Sequence, residues 1–158
     1  MGQIVLRFVQ GDSVASRLII AQEKTAMPFT PSHVECVTPD GLYFGAHISG
    51  GTQRREPGYD KAELVRDLFL TLGATDEQAA AFYSDMDAHE GEPYDWTAIV
   101  GFLVPEHLHL PNHAICSARI TLSLRASGWL RWPLAAPAHL IDPRDLLLML
   151  SALVRVPM

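Results

Sequence analysis

Two short apolar segments on either side of a tight turn constrain the fold of this chain more than any other feature. Residues 31–38 (PSHVECVT) and 42–48 (LYFGAHI) carry the β-branched and aromatic residues that are typical of strands. Pro39, Asp40 and Gly41 lie between them and form a turn signal of the hairpin type. The sequence therefore predicts a β-hairpin, and with it an antiparallel sheet.

The rest of the chain predicts one further strand and several helices. Residues 3–9 have strand character, and Asp12 or Ser13 can cap a helix over residues 14–22. Thr75 opens a capping-box pattern, TDEQ, at the start of a helix that Gly91 ends. Two more helices are predicted, one over residues 114–126 that Gly128 ends, and a last one with Asp142 as N-cap and Pro143 at its first position.

Three segments complete the prediction. Residues 64–72 fit a helix or a strand, and residues 49–60 (SGGTQRREPGYD) are polar and glycine-rich, which predicts a loop or an irregular edge. A short helix is predicted to start near Asp95. Because no repeat, low-complexity tract or linker interrupts the chain, we expect one α+β domain over residues 1–158, in which a small antiparallel sheet packs against helices.

The composition argues against several classes of function. The formal net charge of -6 argues against a protein that binds nucleic acid, which would show a basic patch. No segment approaches the roughly 20 continuous apolar residues that a membrane span needs. The first residues, MGQIVLRFVQGD, lack the basic leader, long apolar run and cleavage site of a signal peptide. We therefore expect a soluble, cytoplasmic protein, and the sequence leaves its oligomeric state undetermined.

Cys116 is the first candidate for chemistry. It stands at the start of the predicted helix CSARITLSL, where the helix dipole and unpaired backbone N–H groups favour the thiolate. A thiolate nucleophile needs a base, and the base needs an orienting group. The structural alternative is a core cysteine, because free cysteines are among the most buried residues. Cys36, the other cysteine, alternates away from His33 in its strand and is assigned to the core.

His33 and Glu35 could supply the base and the orienting group. They lie two residues apart in a predicted strand, so both side chains point to the same face. Neighbouring same-face residues are about 6.5 to 7 Å apart at the backbone, so Glu35 must reach along the strand toward His33. The alternative is that Glu35 faces solvent on a one-sided sheet.

Two short motifs resemble a known enzyme family. GEPYDW (residues 91–96) followed by ICSARI (115–120) resembles the NlpC-type cell-wall peptidases, papain-like enzymes in which a Cys-Ser pair opens the nucleophile helix. Because SHVECV (32–37) precedes the cysteine here, the chain order resembles the circularly permuted branch, the YiiX-like proteins and their lecithin-retinol-acyltransferase-like relatives. The opening VLRFVQGDSVASRLI (5–19) resembles that branch as well.

This resemblance implies a permuted papain-like fold and a role for each matching residue. Cys116 would be the nucleophile, His33 the general base, and Tyr94 a cleft residue that holds a substrate carbonyl or the oxyanion. Glu35 would orient His33, although such families often take this group from the next strand, where His47 is the candidate. We expect neither a metal nor a cofactor.

The implied activity is that of a cysteine amidase or peptidase acting on a small peptide or glycopeptide, such as a peptidoglycan stem peptide. Without an export signal, that substrate requires another route out of the cell, such as the lysis that a phage-encoded product would use. One alternative is an acyltransferase or lipid thioesterase with an acyl substrate, and another is a catalytically silent binding or phage module. Ala118, where relatives would carry Glu or Gly, keeps the silent alternative open.

Two further clusters allow a functional or a structural interpretation. His107, His109 and His113 suggest zinc, but the spacing is not that of a known zinc motif, so we interpret HLHLPNH as a solvated loop over the cleft. Trp129 and Trp132 are interpreted as closing the core, and the alternative is an exposed pair that grips a lipid or glycan.

Overall fold

A computed structural model describes residues 1–22, 28–95, 97 and 115–154 of the chain. These residues form an α+β arrangement of five strands, four α-helices and one short 3-10 helix. The strands are β1 (Gly2–Gly11), β2 (His33–Val37), β3 (Tyr43–His47), β4 (Gly51–Arg55) and β5 (Leu64–Ala74). The α-helices are α1 (Val14–Gln22), α2 (Asp76–Ala88), α3 (Cys116–Ala126) and α4 (Pro143–Leu153), and the 3-10 helix is Ala138–Leu140.

The five strands form one antiparallel sheet in the order β4-β3-β2-β1-β5. The predicted hairpin around Asp40 and Gly41 is confirmed as the β2–β3 pair. On the other side of β2, the register with β1 places Arg7 opposite Glu35 and Val9 opposite His33. This register decides which side chains lie beside the candidate base.

One face of the sheet carries the hydrophobic core. The core-facing positions of β1 and β2 alternate with the polar ones, as a strand with one buried face requires. Helices α2 and α3 pack on this face, α4 packs against α3, and the three helices supply the other half of the core. The fully buried apolar residues of this core are Ile4, Leu6, Phe8, Val34, Cys36, Phe44, Leu72, Phe82, Met86, Ile120, Leu124, Leu146 and Leu150.

The opposite face of the sheet is polar and is covered by the connection between β4 and β5, residues 56–63. Arg7 and Glu35 lie on this face, and both are almost wholly buried. Tyr59 and Asp60 of the connection bond to them directly. A segment without regular structure thus closes over charged side chains that would otherwise face water.

The helix boundaries follow the capping signals in the sequence. Thr75 and Gln78 form the predicted capping box of α2, and the Asp142 side chain accepts from the N–H of Asp145 at the start of α4. At α1 the cap is Ser13, whose hydroxyl accepts from the N–H of Ser16. Local side-chain chemistry therefore suffices to predict where these helices begin.

For residues 49–60 the prediction was a loop or an irregular edge, and residues 51–55 form β4, a regular strand at the edge of the sheet. Thr52 N–H donates to the carbonyl of Glu92, and Gly91 N–H donates to the carbonyl of Thr52. Gly51 has a φ of +70°, and a Cβ there would lie 2.2 Å from the Glu92 carbonyl oxygen. The polar Arg54 is accommodated because it forms ion pairs with Asp87 and Glu90. Tertiary partners thus make an edge strand of a segment with little intrinsic strand preference.

The ambiguous residues 64–72 belong to strand β5. Their pairing along almost all of β1 decides this, and such pairing is a long-range property that a local pattern does not contain. The predicted helix after Asp95 and the HLHLPNH segment lie outside the described residues. Among the helices that are described, none has both the length and the apolar character that a membrane crossing requires.

Candidate active site

Cys116 is the first residue of α3, as the sequence predicts. Ile115 precedes it in extended conformation and provides no side-chain cap, so no side chain of the capping residue competes for the N–H groups of the first turn. Ile115 and Ala118 pack against Ala46 and Tyr94, which holds the start of the helix at the end of the sheet where β2 begins and β3 ends. The thiol is only 3% exposed and lies at the positive end of the helix dipole.

His33 is the basic partner of this cysteine. Burial lowers the pKa of His33, but the negative charge and hydrogen bond of Cys116, together with Glu35, outweigh burial and raise the pKa to about 10. The His33 side chain retains 19% exposure, so it is also accessible from outside. These interactions favour the imidazolium form of His33 beside Cys116 at neutral pH.

Glu35 faces the His33 imidazole on the side opposite to Cys116. Its Oε2 lies 3.4 Å from His33 Nε2, which leaves Nδ1 as the ring nitrogen for Cys116. Burial raises the pKa of Glu35, but His33 and Arg7 outweigh burial and hold the pKa below its usual value. A fully buried, ionised carboxylate therefore lies next to the His33 ring, so the Glu35 side chain does reach along the strand to His33.

Arg7 balances the charge of Glu35. Arg7 Nη1 donates to Glu35 Oε1 over 2.7 Å, and Tyr59 donates its hydroxyl to Glu35 Oε2 over 3.1 Å. The same guanidinium forms ion pairs with Asp60 at 3.0 Å and Asp67 at 2.9 Å. This buried network contradicts the alternative that Glu35 faces solvent.

The sequence contained an unused signal for this network. Arg7 interrupts an otherwise apolar strand between Leu6 and Phe8, both of which point into the core. A charged residue at such a position is buried only when it is paired. The signal indicates a buried carboxylate partner, although only the β1–β2 register identifies that partner as Glu35.

His47, the alternative orienting residue, also lies beside the Glu35 carboxylate. Its Nε2 is 3.6 Å from Glu35 Oε2, and its ring centroid is 4.8 Å from that of His33. Burial and the charge of His33 lower the pKa of His47 to about 3, so this ring is neutral. Glu35 is the residue that faces the ring nitrogen of His33, and His47 is a second neighbour of the same carboxylate.

Tyr94 lies close to the thiol, as the resemblance implies. It is 9% exposed and packs with Ala46, Ile115 and Ala118. Burial, followed by the negative charge of Cys116, raises the pKa of Tyr94 well above its usual value, so its hydroxyl keeps its proton and can donate it in a hydrogen bond. Ala118 packs in the same cluster as Tyr94, and Cys116 contacts His33 with alanine at this position.

Arg119 anchors the helix that carries Cys116. Its side chain is only 4% exposed, and it donates to Asp85 of α2 over 2.8 Å and to Glu92 over 3.2 Å. Glu92 lies two residues before Tyr94 and is itself bonded to β4 through its carbonyl. One guanidinium thus holds together α3, α2 and the segment that carries Tyr94.

A cavity of about 210 Å³ opens beside these residues. His33, His47 and Tyr94 contribute to its wall, and Arg55 adds a cation. Cys36 lies on the other face of the sheet, where its thiol donates to the Phe44 carbonyl over 3.3 Å and burial raises its pKa. Cys36 is therefore a core thiol, as predicted.

The comparisons with known proteins leave the site to be interpreted from its own residues. No protein-family model matches the chain, and no curated protein matches it. What the structure brings together is a set of four residues named from the sequence: Cys116, His33, Glu35 and Tyr94. It adds Arg7 and Tyr59, which the sequence reasoning did not identify.

Proposed function

We propose that this protein is a cysteine hydrolase of the amidase or peptidase type, with Cys116 as nucleophile, His33 as general base and Glu35 as the orienting group. The observation that carries the proposal is the continuous contact from Cys116 through His33 to Glu35, with Nε2 of His33 3.4 Å from the carboxylate. A nucleophile, a base within reach and a third group that fixes the base are the three parts that such catalysis requires.

In the proposed reaction, His33 holds the proton of the Cys116 thiol, and the Cys116 thiolate attacks the carbonyl carbon of an amide. The carbonyl oxygen becomes an oxyanion, which the first N–H groups of α3 and the Tyr94 hydroxyl would stabilise. The C–N bond then breaks as His33 gives its proton to the leaving amine, which leaves a thioester on Cys116. Water attacks this thioester with His33 as base, so that the acid is released and the thiol is regenerated.

We also propose that the fold is the permuted papain-like one. Its support is the order of the elements, because β1, α1 and the strand with His33 precede α3 with Cys116. The packing of α3 against β2 and β3 agrees with this proposal. The motifs GEPYDW and ICSARI add the resemblance described above.

The volume of the cavity favours a small substrate over a long acyl chain. It is about 210 Å³, below the roughly 300 to 1,000 Å³ of most ligand sites, and its wall combines apolar side chains such as Ile19 and Ile48 with the charged Arg55 and Asp60. Trp129, a candidate for gripping lipid, donates its indole N–H to the Gly73 carbonyl over 2.8 Å. Gly73 pairs with Gln3, six residues along β1 from the partner of His33, which is roughly 20 Å away. A short peptide amide is therefore the substrate class that we favour.

Alkylation with iodoacetamide at pH 6 tests the nucleophile. We expect Cys116 to react at least tenfold faster than an ordinary thiol, because its partner His33 favours the thiolate. Cys36 provides an internal standard, since it is fully buried and should stay unlabelled in the folded protein. His33→Gln should slow the labelling of Cys116, and a rate equal to that of a free thiol in the native protein would contradict the proposal.

Turnover assays separate the candidate activities. Peptidoglycan stem peptides and short acyl esters would be compared with the native protein and with Cys116→Ala as control. We expect hydrolysis of the peptide amide, and Tyr94→Phe should lower kcat about 10- to 100-fold while leaving the alkylation of Cys116 unchanged. Preference for a long-chain ester would support the acyl-transfer alternative instead.

A further inference from the structure

Two imidazole nitrogens and one carboxylate oxygen converge at the end of the sheet. His33 Nε2 and His47 Nε2 lie 3.4 Å and 3.6 Å from Glu35 Oε2, and the ligand atoms of the three residues are all within 4.8 Å of one another. Both Nε2 atoms are inaccessible to solvent, and neither makes a hydrogen bond of normal geometry among the described residues, although both face Glu35 Oε2. The His47 side chain is only 9% exposed. Buried polar atoms of this kind require an explanation.

The spacing of these atoms fits a transition metal. Zinc binds histidine nitrogen and carboxylate oxygen at about 2.0 to 2.2 Å in tetrahedral geometry, which places neighbouring ligand atoms roughly 3.3 to 3.6 Å apart. The two distances to Glu35 Oε2, 3.4 and 3.6 Å, match this spacing, whereas the two imidazole nitrogens, at up to 4.8 Å from each other, would have to move closer together to complete the site. Two histidines and one carboxylate leave a fourth position open.

The surroundings of Glu35 already hold the carboxylate in place. Oε1 accepts from Arg7, and Oε2 accepts from Tyr59, which still leaves a lone pair on Oε2 for an ion. Bonds of this kind fix the orientation of a metal ligand. The positive charge of Arg7 reduces the attraction of the carboxylate for a cation, so we expect reversible binding.

We propose that His33, His47 and Glu35 form a reversible binding site for a divalent zinc-type ion, and that the ion and the catalytic use of His33 exclude each other. The ion takes the place of the proton on His33 Nε2, and the neutral ring then keeps its remaining proton on Nδ1. This ring has no free nitrogen with which to accept the proton of Cys116. The first half of the proposal stands on geometry alone, and the second half rests on the proposed function.

Cobalt(II) absorption and zinc calorimetry on the full chain test the site without reference to activity. We expect visible bands of four-coordinate cobalt(II) that zinc displaces, and a loss of affinity of at least tenfold in His47→Gln. A far-UV circular dichroism spectrum checks that this variant is folded. His89→Gln is a matched control, because His89 lies at the end of α2 and contacts Asp85.

The HLHLPNH segment needs its own control, since it could bind metal independently. The triple variant His107→Gln, His109→Gln and His113→Gln should bind cobalt(II) as the native protein does. Native affinity in His47→Gln, or loss of the cobalt(II) bands in the triple variant, would overturn the proposal. A sulfur-to-cobalt charge-transfer band that disappears in Cys116→Ala would mean that the ion binds on the Nδ1 side of His33 together with Cys116, and it would overturn the proposed site.

Alkylation of Cys116 with and without zinc tests whether the bound ion prevents the catalytic use of His33. We expect zinc to slow labelling at least tenfold, EDTA to restore it, and His47→Gln to label at the same rate with and without zinc. If cobalt(II) binds through His47 but zinc does not slow the labelling, the exclusion is wrong while the site stands. If Cys116 is unreactive even without metal, the proposed function is wrong. The mutual exclusion of the ion and the catalytic use of His33 is then wrong as well, because it rests on that function. The cobalt(II) measurement still decides whether the metal site exists.

Discussion

Arg7 Nη1 lies 2.7 Å from Glu35 Oε1, and the two side chains are 2% and 0% exposed. They meet because the β1–β2 register places them directly opposite each other. Glu35 in turn faces the ring of His33, so a residue near the N-terminus supports the orientation of the candidate base. The charge of the site and the stability of the sheet therefore depend on the same ion pair.

Replacement of Arg7 by methionine should destabilise the protein strongly. The change leaves the Glu35 carboxylate buried without its cation, and loss of one partner of a buried pair costs about 3 to 5 kcal/mol. Urea denaturation measures the effect. The matched control is Arg17→Met, which removes an exposed pair with Asp12 and should cost less than about 1 kcal/mol. Equal losses of unfolding free energy in Arg7→Met and Arg17→Met would show that the buried network contributes no more to stability than the exposed pair.

A methyl group at Gly45 should disturb Glu35. A Cβ at Gly45 would lie 2.9 Å from the Cβ of Glu35, which is closer than such atoms approach, so the carboxylate must shift. We expect Gly45→Ala to cost about 1 to 3 kcal/mol and to slow the alkylation of Cys116. Gly73→Ala is the control, because a Cβ there has no heavy atom within 4 Å. Unchanged labelling in Gly45→Ala would argue that the position of Glu35 does not matter for the thiol.

The stability that His33 contributes should depend on pH. Its folded pKa is raised from 6.5 to about 10, so the contribution is fully present below about pH 6.5 and is lost as the pH rises through about 10. The difference in unfolding free energy between the native protein and His33→Gln should therefore narrow from pH 6.5 to pH 10. In a Cys116→Ala background the difference should be smaller at every pH, since the partner charge is absent. If the difference in unfolding free energy between the native protein and His33→Gln stays constant with pH, the ion pair between His33 and Cys116 is refuted.

Loss of Arg119 should loosen the attachment of α3. Its guanidinium bonds to Asp85 and Glu92, and hydrogen bonds to charged groups contribute about 1.5 to 3 kcal/mol. We expect Arg119→Met to lower the unfolding free energy by this amount and to slow the alkylation of Cys116. Arg125→Met, on the exposed side of the same helix, should change stability by less than about 0.5 kcal/mol. Thermal denaturation of both variants checks the contrast.

The local elements were largely predictable from the chain, because their signals are local. Thr75, Asp142 and Ser13 cap helices through bonds to residues three positions away. Strand β4 was not predictable in this way, since the partners that stabilise Arg54 and Thr52 lie in and after α2. The same holds for β5, which exists as a strand through its pairing with β1.

The candidate site was likewise predictable only in its local features. The two-residue spacing of His33 and Glu35 predicts that their side chains share one face of the strand, and the position of Cys116 at the start of a helix predicts an activated environment for its thiol. That His33 contacts Cys116 depends on the packing of α3 against the end of the sheet. The role of His47 as a second neighbour of Glu35 depends on the fold of the β2–β3 hairpin.

By itself, the sequence determined the α+β class, the hairpin, the helix starts and the faces on which His33, Glu35 and Cys36 lie, because periodicity and capping act over a few residues. Only the tertiary structure decided that Arg7 neutralises Glu35, that β4 is a strand, and that two histidine nitrogens converge on one carboxylate oxygen. The physical reason is that burial and electrostatics depend on strand register and helix packing, which join residues far apart in the chain.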